Sequence, residues 1–222
     1  MTESTLLHEL IARAAERTPQ ATALTSGSAA LSYAELADRV SRFAAGLMGL
    51  GLARGERVAI YLEPRFETVI ASFGAPAAGA VFVPVNPLLK PEQVAFILRD
   101  CNVRVLVTSP ERLALLGEVL ADCHDLQHVV VTDAAAGSAS VGAPAAGRLG
   151  LTGWSDLLGS PARPGHRVID SDMVAILYTS GSTGKPKGVM LSHRNMVAGA
   201  KSVASSLDNR PNDVLLAALP LS

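Results

Sequence analysis

"MVAILYTSGSTGKPKGVMLSHRN", Met173 to Asn195, is the one place in the chain where a strand, a loop of glycines and hydroxyls, a second strand and a helix start follow one another without a break. Met173–Tyr178 is an apolar run of strand length bounded by a polar turn, the signal of a buried β-strand. The next ten residues, Thr179 to Gly188, hold four hydroxyls, three glycines, two lysines and one proline, a mixture no apolar core uses. Gly188–Leu191 reads as a second short strand, near enough in sequence to pair with the first as a hairpin over 173–192. Ser192 is a natural N-cap for the helical stretch HRNMVAGAKSVASSL that follows.

Upstream, strand and helix signals alternate. Ser32 followed three residues later by Glu35 forms a capping box, and Leu36, Val40, Phe43 and Leu47 lie on one stripe of a helix closed by Gly49 and Gly51. β-Branched runs recur at Arg57–Leu62, Ala80–Val85, Val103–Thr108 and His128–Thr132, with helical patterns over 65–79, 91–100 and 111–121 between them. That order predicts an α/β fold with a largely parallel sheet covered by helices on both faces. Pro76 is expected to kink its helix or end it early. The small-residue, Gly- and Pro-containing stretch 133–153 is expected to be a variable, mobile surface linker, followed by a short helix over Trp154–Leu158 in which Trp154 packs. Val214–Leu219 reads as a further apolar strand, and an end so close behind it leads to the expectation of a truncated domain.

Several classes are disfavoured by composition. Nineteen Lys and Arg against 20 Asp and Glu give a net charge of -1, no field to attract nucleic acid or an anionic membrane. Leu6, Leu7, Leu10, Ile11, Ala14 and Ala15 recur at helical spacing, so the N-terminus reads as an amphipathic helix and not a secretion signal. No apolar stretch approaches the roughly 18–20 residues a spanning helix needs. The expectation is a soluble, cytoplasmic protein whose two cysteines, Cys101 and Cys123, are reduced and structural.

The hairpin loop has the chemistry of a polyanion site. Gly181, Gly184 and Gly188 allow close backbone approach and exposed N–H groups, Thr179, Ser180, Ser182 and Thr183 add hydroxyl donors, and Lys185 and Lys187 add charge. It is not the GxxxxGK[ST] phosphate loop: Lys185 is followed by Pro186, and Thr179 stands where the first glycine is needed. The GxGxxG spacing of dinucleotide sites also fails. The remaining alternative is a flexible, solubilising hairpin tip.

YTSGSTGKPKGVMLSHRN resembles the phosphate-loop signature of the adenylate-forming ligases: acyl-CoA synthetases, aryl-CoA ligases, luciferases and peptide-synthetase adenylation domains. TPQATAL, LSYAELADRVSRFAAGLMGLGLARGERVAIYL, GAVFVPVNPLLKPEQVAFILRDC and VRVLVT are similar, in order and spacing, to the segments before that signature in acyl-CoA ligases. LEPRFETVIASFGA with VNPLLKPEQVAFILRDCNVRVLVTS further resembles the AMP-forming ligases associated with exosortase systems; Pro76-Ala77 stands where many relatives have Leu-Lys.

The resemblance implies that residues 1–222 are the N-terminal part of an AMP-binding domain, without the C-terminal domain. It implies ATP-dependent activation of a carboxylic acid to an acyl-adenylate, with transfer to coenzyme A or a carrier-protein thiol, and magnesium accompanying the ATP. The phosphate-binding residues by match are Thr179, Ser180, Gly181, Ser182, Thr183, Gly184 and Lys187, whereas Lys185 falls at a variable position and reads as a solvated charge. The adenine, ribose and catalytic-lysine motifs of the family lie downstream of Ser222, so the chain alone is expected to be inactive and no catalytic residue is assigned within it. His193, at a helix start, is expected to be a neutral structural histidine. The alternative is a degenerate adenylation fold acting as a nucleotide-binding or interaction module.

Overall fold

The computed structural model describes residues 4–132, 148–179 and 186–217. Seven strands form the central sheet: β3 (Arg57–Tyr61), β4 (Val81–Pro84), β5 (Val103–Thr108), β6 (His128–Val131), β7 (Gly150–Gly153), β8 (Met173–Thr179) and β9 (Lys187–Ser192). Their order is β7-β6-β5-β3-β4-β8-β9, parallel throughout except that β9 runs antiparallel to β8. A separate two-stranded hairpin, β1 (Thr22–Ser26) with β2 (Ala29–Ser32), precedes them.

Both sheet faces are covered, because both sets of alternating side chains are apolar. On one side Val58, Ile60, Val105, Val107 and Val174 meet Leu36, Val40, Phe43 and Leu47 of α2 (Tyr33–Gly49), Ile70 and Ala75 of α3 (Phe66–Ala78) and Trp154 and Leu157 of α6 (Trp154–Leu158). On the other, Ala59, Tyr61, Leu106, Val129 and Ile176 meet Val94, Ile97 and Leu98 of α4 (Pro91–Asp100), Leu113 and Leu116 of α5 (Pro110–Leu116) and Leu120 of the 3-10 turn Gly117–Asp122. Each Val, Leu, Ile or Phe side chain among these, fully buried, contributes about 1.5–3 kcal/mol relative to exposure. The expected α/β architecture is therefore the observed one. Two further helices complete it: α1 (Glu9–Arg17), and α7 (His193–Ser206), which starts from β9.

Local signals explain most boundaries. Ser32 Oγ accepts from the Glu35 amide at 3.2 Å while the Glu35 carboxylate takes the Ser32 amide at 2.8 Å, the reciprocal box that starts α2. Helix α2 ends at Gly49, and Gly51 takes a φ of 80°. Trp154 is buried and its ring lies 5.1 Å from that of Phe43, so it is a packing residue.

Three expectations change. Helix α3 runs through Pro76 to Ala78: Pro76 is in the last turn, where it forfeits one intrahelical bond while being buried, and Gly79 closes the helix at φ 85°. The end of the stretch expected as linker, Gly150–Gly153, is strand β7, in register with His128–Val131; residues 133–147 lie outside the described residues. Residues 214–217, expected within a buried strand, have no regular structure, and Val214 and Leu216 are 96% and 91% exposed. Cys101 and Cys123 are both buried and free. Among the described residues no helix is long and apolar enough to cross a membrane.

Candidate functional site

The β8–β9 hairpin projects its loop from the C-terminal end of a parallel strand, the edge where open α/β sheets bind ligands. The two strands are paired from Met173–Ser192 at the root to Thr179–Lys187 at the tip. Of the residues expected to contact phosphate, Thr179 and Lys187 are therefore brought face to face, both exposed, closing the loop from either side. Ser180, Gly181, Ser182, Thr183 and Gly184, and Lys185 with them, lie outside the described residues.

Gly188 has a different role from the one its composition suggested. It has no positive φ but sits in regular strand, and a Cβ there would lie 2.8 Å from Ile176 Cγ2 and 3.2 Å from Tyr178 Cζ. Its missing side chain makes room for the cross-strand neighbours and not for a ligand.

The hairpin root is fastened by hydrogen bonds and ion pairs. Ser192 Oγ accepts from the Asn195 amide at 3.2 Å, and Asn195 Oδ1 accepts from the Ser192 amide at 3.0 Å, starting α7. Arg194 donates two bonds to the Asp170 carboxylate, at 2.9 and 3.1 Å. Arg54 Nη2 reaches Asp172 Oδ2 at 2.6 Å. These guanidinium contacts hold both carboxyls below the usual carboxylate range.

His193 is at this root, just after β9 ends at Ser192, roughly 20 Å along the chain from Lys187 at the tip. It is 1% exposed, and its Nδ1 accepts the Leu7 amide at 3.0 Å, which requires a neutral ring. Burial, aided by His8 with its ring 5.9 Å away, lowers its pKa from the ordinary 6.5 to about 4. The expectation of a structural, neutral histidine agrees with this geometry, with burial the largest cause.

A pH dependence follows. With the folded value depressed, His193 contributes stability that is fully present above about 6.5, the unfolded value, and is lost as pH falls through about 4. His8, also lowered by burial, acts in the same direction. Urea midpoints measured from pH 7.5 to pH 4 should fall for the native sequence, with a shallower slope in His193→Gln; equal slopes would remove His193 from the account.

Two features of the surroundings have no short-range sequence signal. Tyr178 Oη donates to Asp100 Oδ2 at 2.5 Å, joining residues 78 positions apart. At the C-terminal ends of β3 and β5, the Arg112 guanidinium pairs with Glu63, lies 4.8 Å over the Tyr61 ring and donates to Pro87 O at 2.6 Å. That ties the first turn of α5 to the loops after β3 and β4 at the C-terminal edge of the sheet.

The sheet order and its edge hairpin define a largely parallel α/β unit with helices on both faces. The anthranilate CoA ligase AuaEII, solved with anthranoyl-AMP, matches it with a TM-score of 0.74 at 28% identity, over 85% of this chain and 35% of that one. Residues 11–222 match the AMP-binding enzyme family, and the chain belongs to that family. A feruloyl-CoA synthase of Amycolatopsis sp is 36% identical over 211 residues, 94% of this chain and 38% of the relative. An L-proline--[L-prolyl-carrier protein] ligase of Pseudomonas fluorescens is 35% identical over 195 residues, 87% of this chain and 36% of the relative. The chain thus spans a little over a third of the length of these relatives.

Proposed function

We propose that this chain supplies the pyrophosphate-gripping part of an enzyme that joins a carboxylic acid to a thiol at the expense of ATP. The observation that carries this reading is the hairpin tip, where Thr179 and Lys187 close a loop of hydroxyls and glycines in a fold shared with a ligase bound to an acyl-adenylate. The donor set fits the ligand: hydroxyls, backbone N–H groups and an ammonium, with no carboxylate among residues 179–188, suit phosphate oxygens and would repel nothing on them.

The chemistry needs such a grip. A carboxylate oxygen attacks the α-phosphorus, the bond to the bridging oxygen breaks, and pyrophosphate leaves with the electron pair, giving an acyl-adenylate. Thr179, Ser180, Gly181, Ser182, Thr183, Gly184 and Lys187 stabilise the charge that grows on the departing β and γ phosphates. A thiol then attacks the acyl carbon and displaces AMP. A magnesium ion accompanying the nucleotide would neutralise its phosphates; among the described residues no group of three or more His, Cys, Asp or Glu is placed to hold a metal ion. Coenzyme A and a carrier-protein thiol are both acceptors named by relatives.

Exchange of labelled pyrophosphate into ATP by the full-length gene product, with a panel of fatty, aryl and amino acids, tests the reading. Acid-dependent exchange with AMP as the final product is expected. ADP and phosphate as products, or binding of ATP without exchange under any acid, would sink it, the second outcome favouring a nucleotide-binding module. The 222-residue chain alone is expected to give no exchange.

A further inference from the structure

Strand β8 of the hairpin is buried in the sheet at residues 174–176, but its tip runs past the end of β4 at Pro84. β4 is in register with β8 at one pair, Phe82 with Ala175, whereas β8 and β9 stay paired out to Thr179–Lys187. Strand β9 is the sheet edge, and Lys187 to Met190 are exposed. Past the end of β4 only β8 and β9 remain, and two strands alone are marginal in water, so what fixes the tip relative to the body matters.

Tyr178 is the residue that reaches from the tip to the body. It is the cross-strand partner of Gly188 and immediately precedes Thr179. Its ring lies against Gly188, where a Cβ would come within 3.2 Å of Cζ, and its hydroxyl donates to Asp100, the last residue of α4, at 2.5 Å. The acceptor is itself anchored. Arg57 Nε donates to Cys101 O at 2.5 Å and Nη2 to Asn102 O at 2.7 Å, and Asn102 Nδ2 donates to Asp125 Oδ2 at 2.9 Å. The turn after α4 is thus held from β3 and from the loop before β6.

We propose that Tyr178 is a positioning residue for the loop: its ring seated on Gly188 and its hydroxyl bonded to Asp100 fix where Thr179 and Lys187 stand. The effect on nucleotide rests on the function proposed above; the effect on the hairpin does not. Both loop ends adjoin this latch, Thr179 in sequence and Lys187 through Gly188, so releasing it moves them together. Misplacing a charge-stabilising donor by about 1 Å is enough to cost up to 10²-fold in rate. Burial and the Asp100 carboxylate both raise the phenol's pKa, so it remains a donor at physiological pH.

Hydrogen exchange and ATP kinetics on the full-length protein test this. In Tyr178→Phe the ring still fills its seat while the donor is gone. Backbone amides of 176–179 and 187–190 should exchange about tenfold faster, equal to about 1.4 kcal/mol, with those of β3 and β5 unchanged. Asp100→Ala should reproduce this, Asp100→Asn, which keeps an acceptor oxygen, should restore most of the protection, and the double variant Tyr178→Phe/Asp100→Ala should be no worse than either single one. In the pyrophosphate exchange reaction KM for ATP should rise several-fold with KM for the acid unchanged. Unaltered amide exchange in Tyr178→Phe overturns the proposal whatever the enzyme acts on, as does altered exchange with unchanged ATP kinetics. A protein that shows the amide effects but never uses ATP refutes the proposed function and, with it, the claim that the latch serves a nucleotide.

Discussion

Truncating Phe43 to alanine is expected to lower the unfolding free energy by about 3–5 kcal/mol, the range for a fully buried aromatic. Phe43 is 0% exposed and lies where α2, α3 and α6 converge. Trp154 stacks obliquely on it at 5.1 Å, and Gly74 of α3 approaches so closely that a Cβ there would lie 2.5 Å from Phe43 Cδ1. The wall nearest the ring is therefore backbone. A glycine has no side chain to swing into the space left behind, so the cavity closes poorly and the cost sits at the upper end. Phe43→Leu keeps most of the volume and should cost about 1–2 kcal/mol. Urea unfolding followed by far-ultraviolet circular dichroism measures both, and a loss below about 1 kcal/mol for the alanine variant would show that the helices close over the gap.

Under the proposed function, replacing Lys187 by alanine in the full-length protein is expected to slow pyrophosphate exchange by about 10²–10³-fold, the loss seen when one donor to a developing anion is removed. Folding should be untouched to within about 0.5 kcal/mol, because the side chain is exposed at the hairpin tip. Lys185→Ala should change the rate by less than about threefold, and Lys187→Arg should recover part of the loss, keeping charge without the compact ammonium geometry. Equal losses at the two lysines would overturn the assignment of the charge to Lys187.

The parts of the fold legible in sequence are those whose signal is local. β5 and α4 fall on their expected residues, 103–108 and 91–100, because β-branched runs and a helix-starting proline settle them without help from neighbours. β7 was hidden because Gly150-Leu151-Thr152-Gly153 carries two glycines, and its extended form comes from pairing with β6. β1 and β2 are short and mostly exposed, so neither shows an apolar face. At the site, composition pointed to the donors Thr179 and Lys187, but Gly188 read as loop freedom until its cross-strand neighbours were seen. The bond from Tyr178 to Asp100 depends on which strand lies beside which helix, and no spacing within the chain encodes that.

The order of the strands has a consequence for how the protein is made. β3, β4, β5 and β6 follow one another in the chain and can assemble as soon as each emerges, but the neighbour that finally covers the outer side of β4 begins only at Met173. Closing so long a loop makes that pairing the late, slow event. Until then β4 offers unpaired backbone groups to any other strand nearby. A nascent chain should therefore dock the β8–β9 hairpin last, and until then aggregate through the open edge of β4.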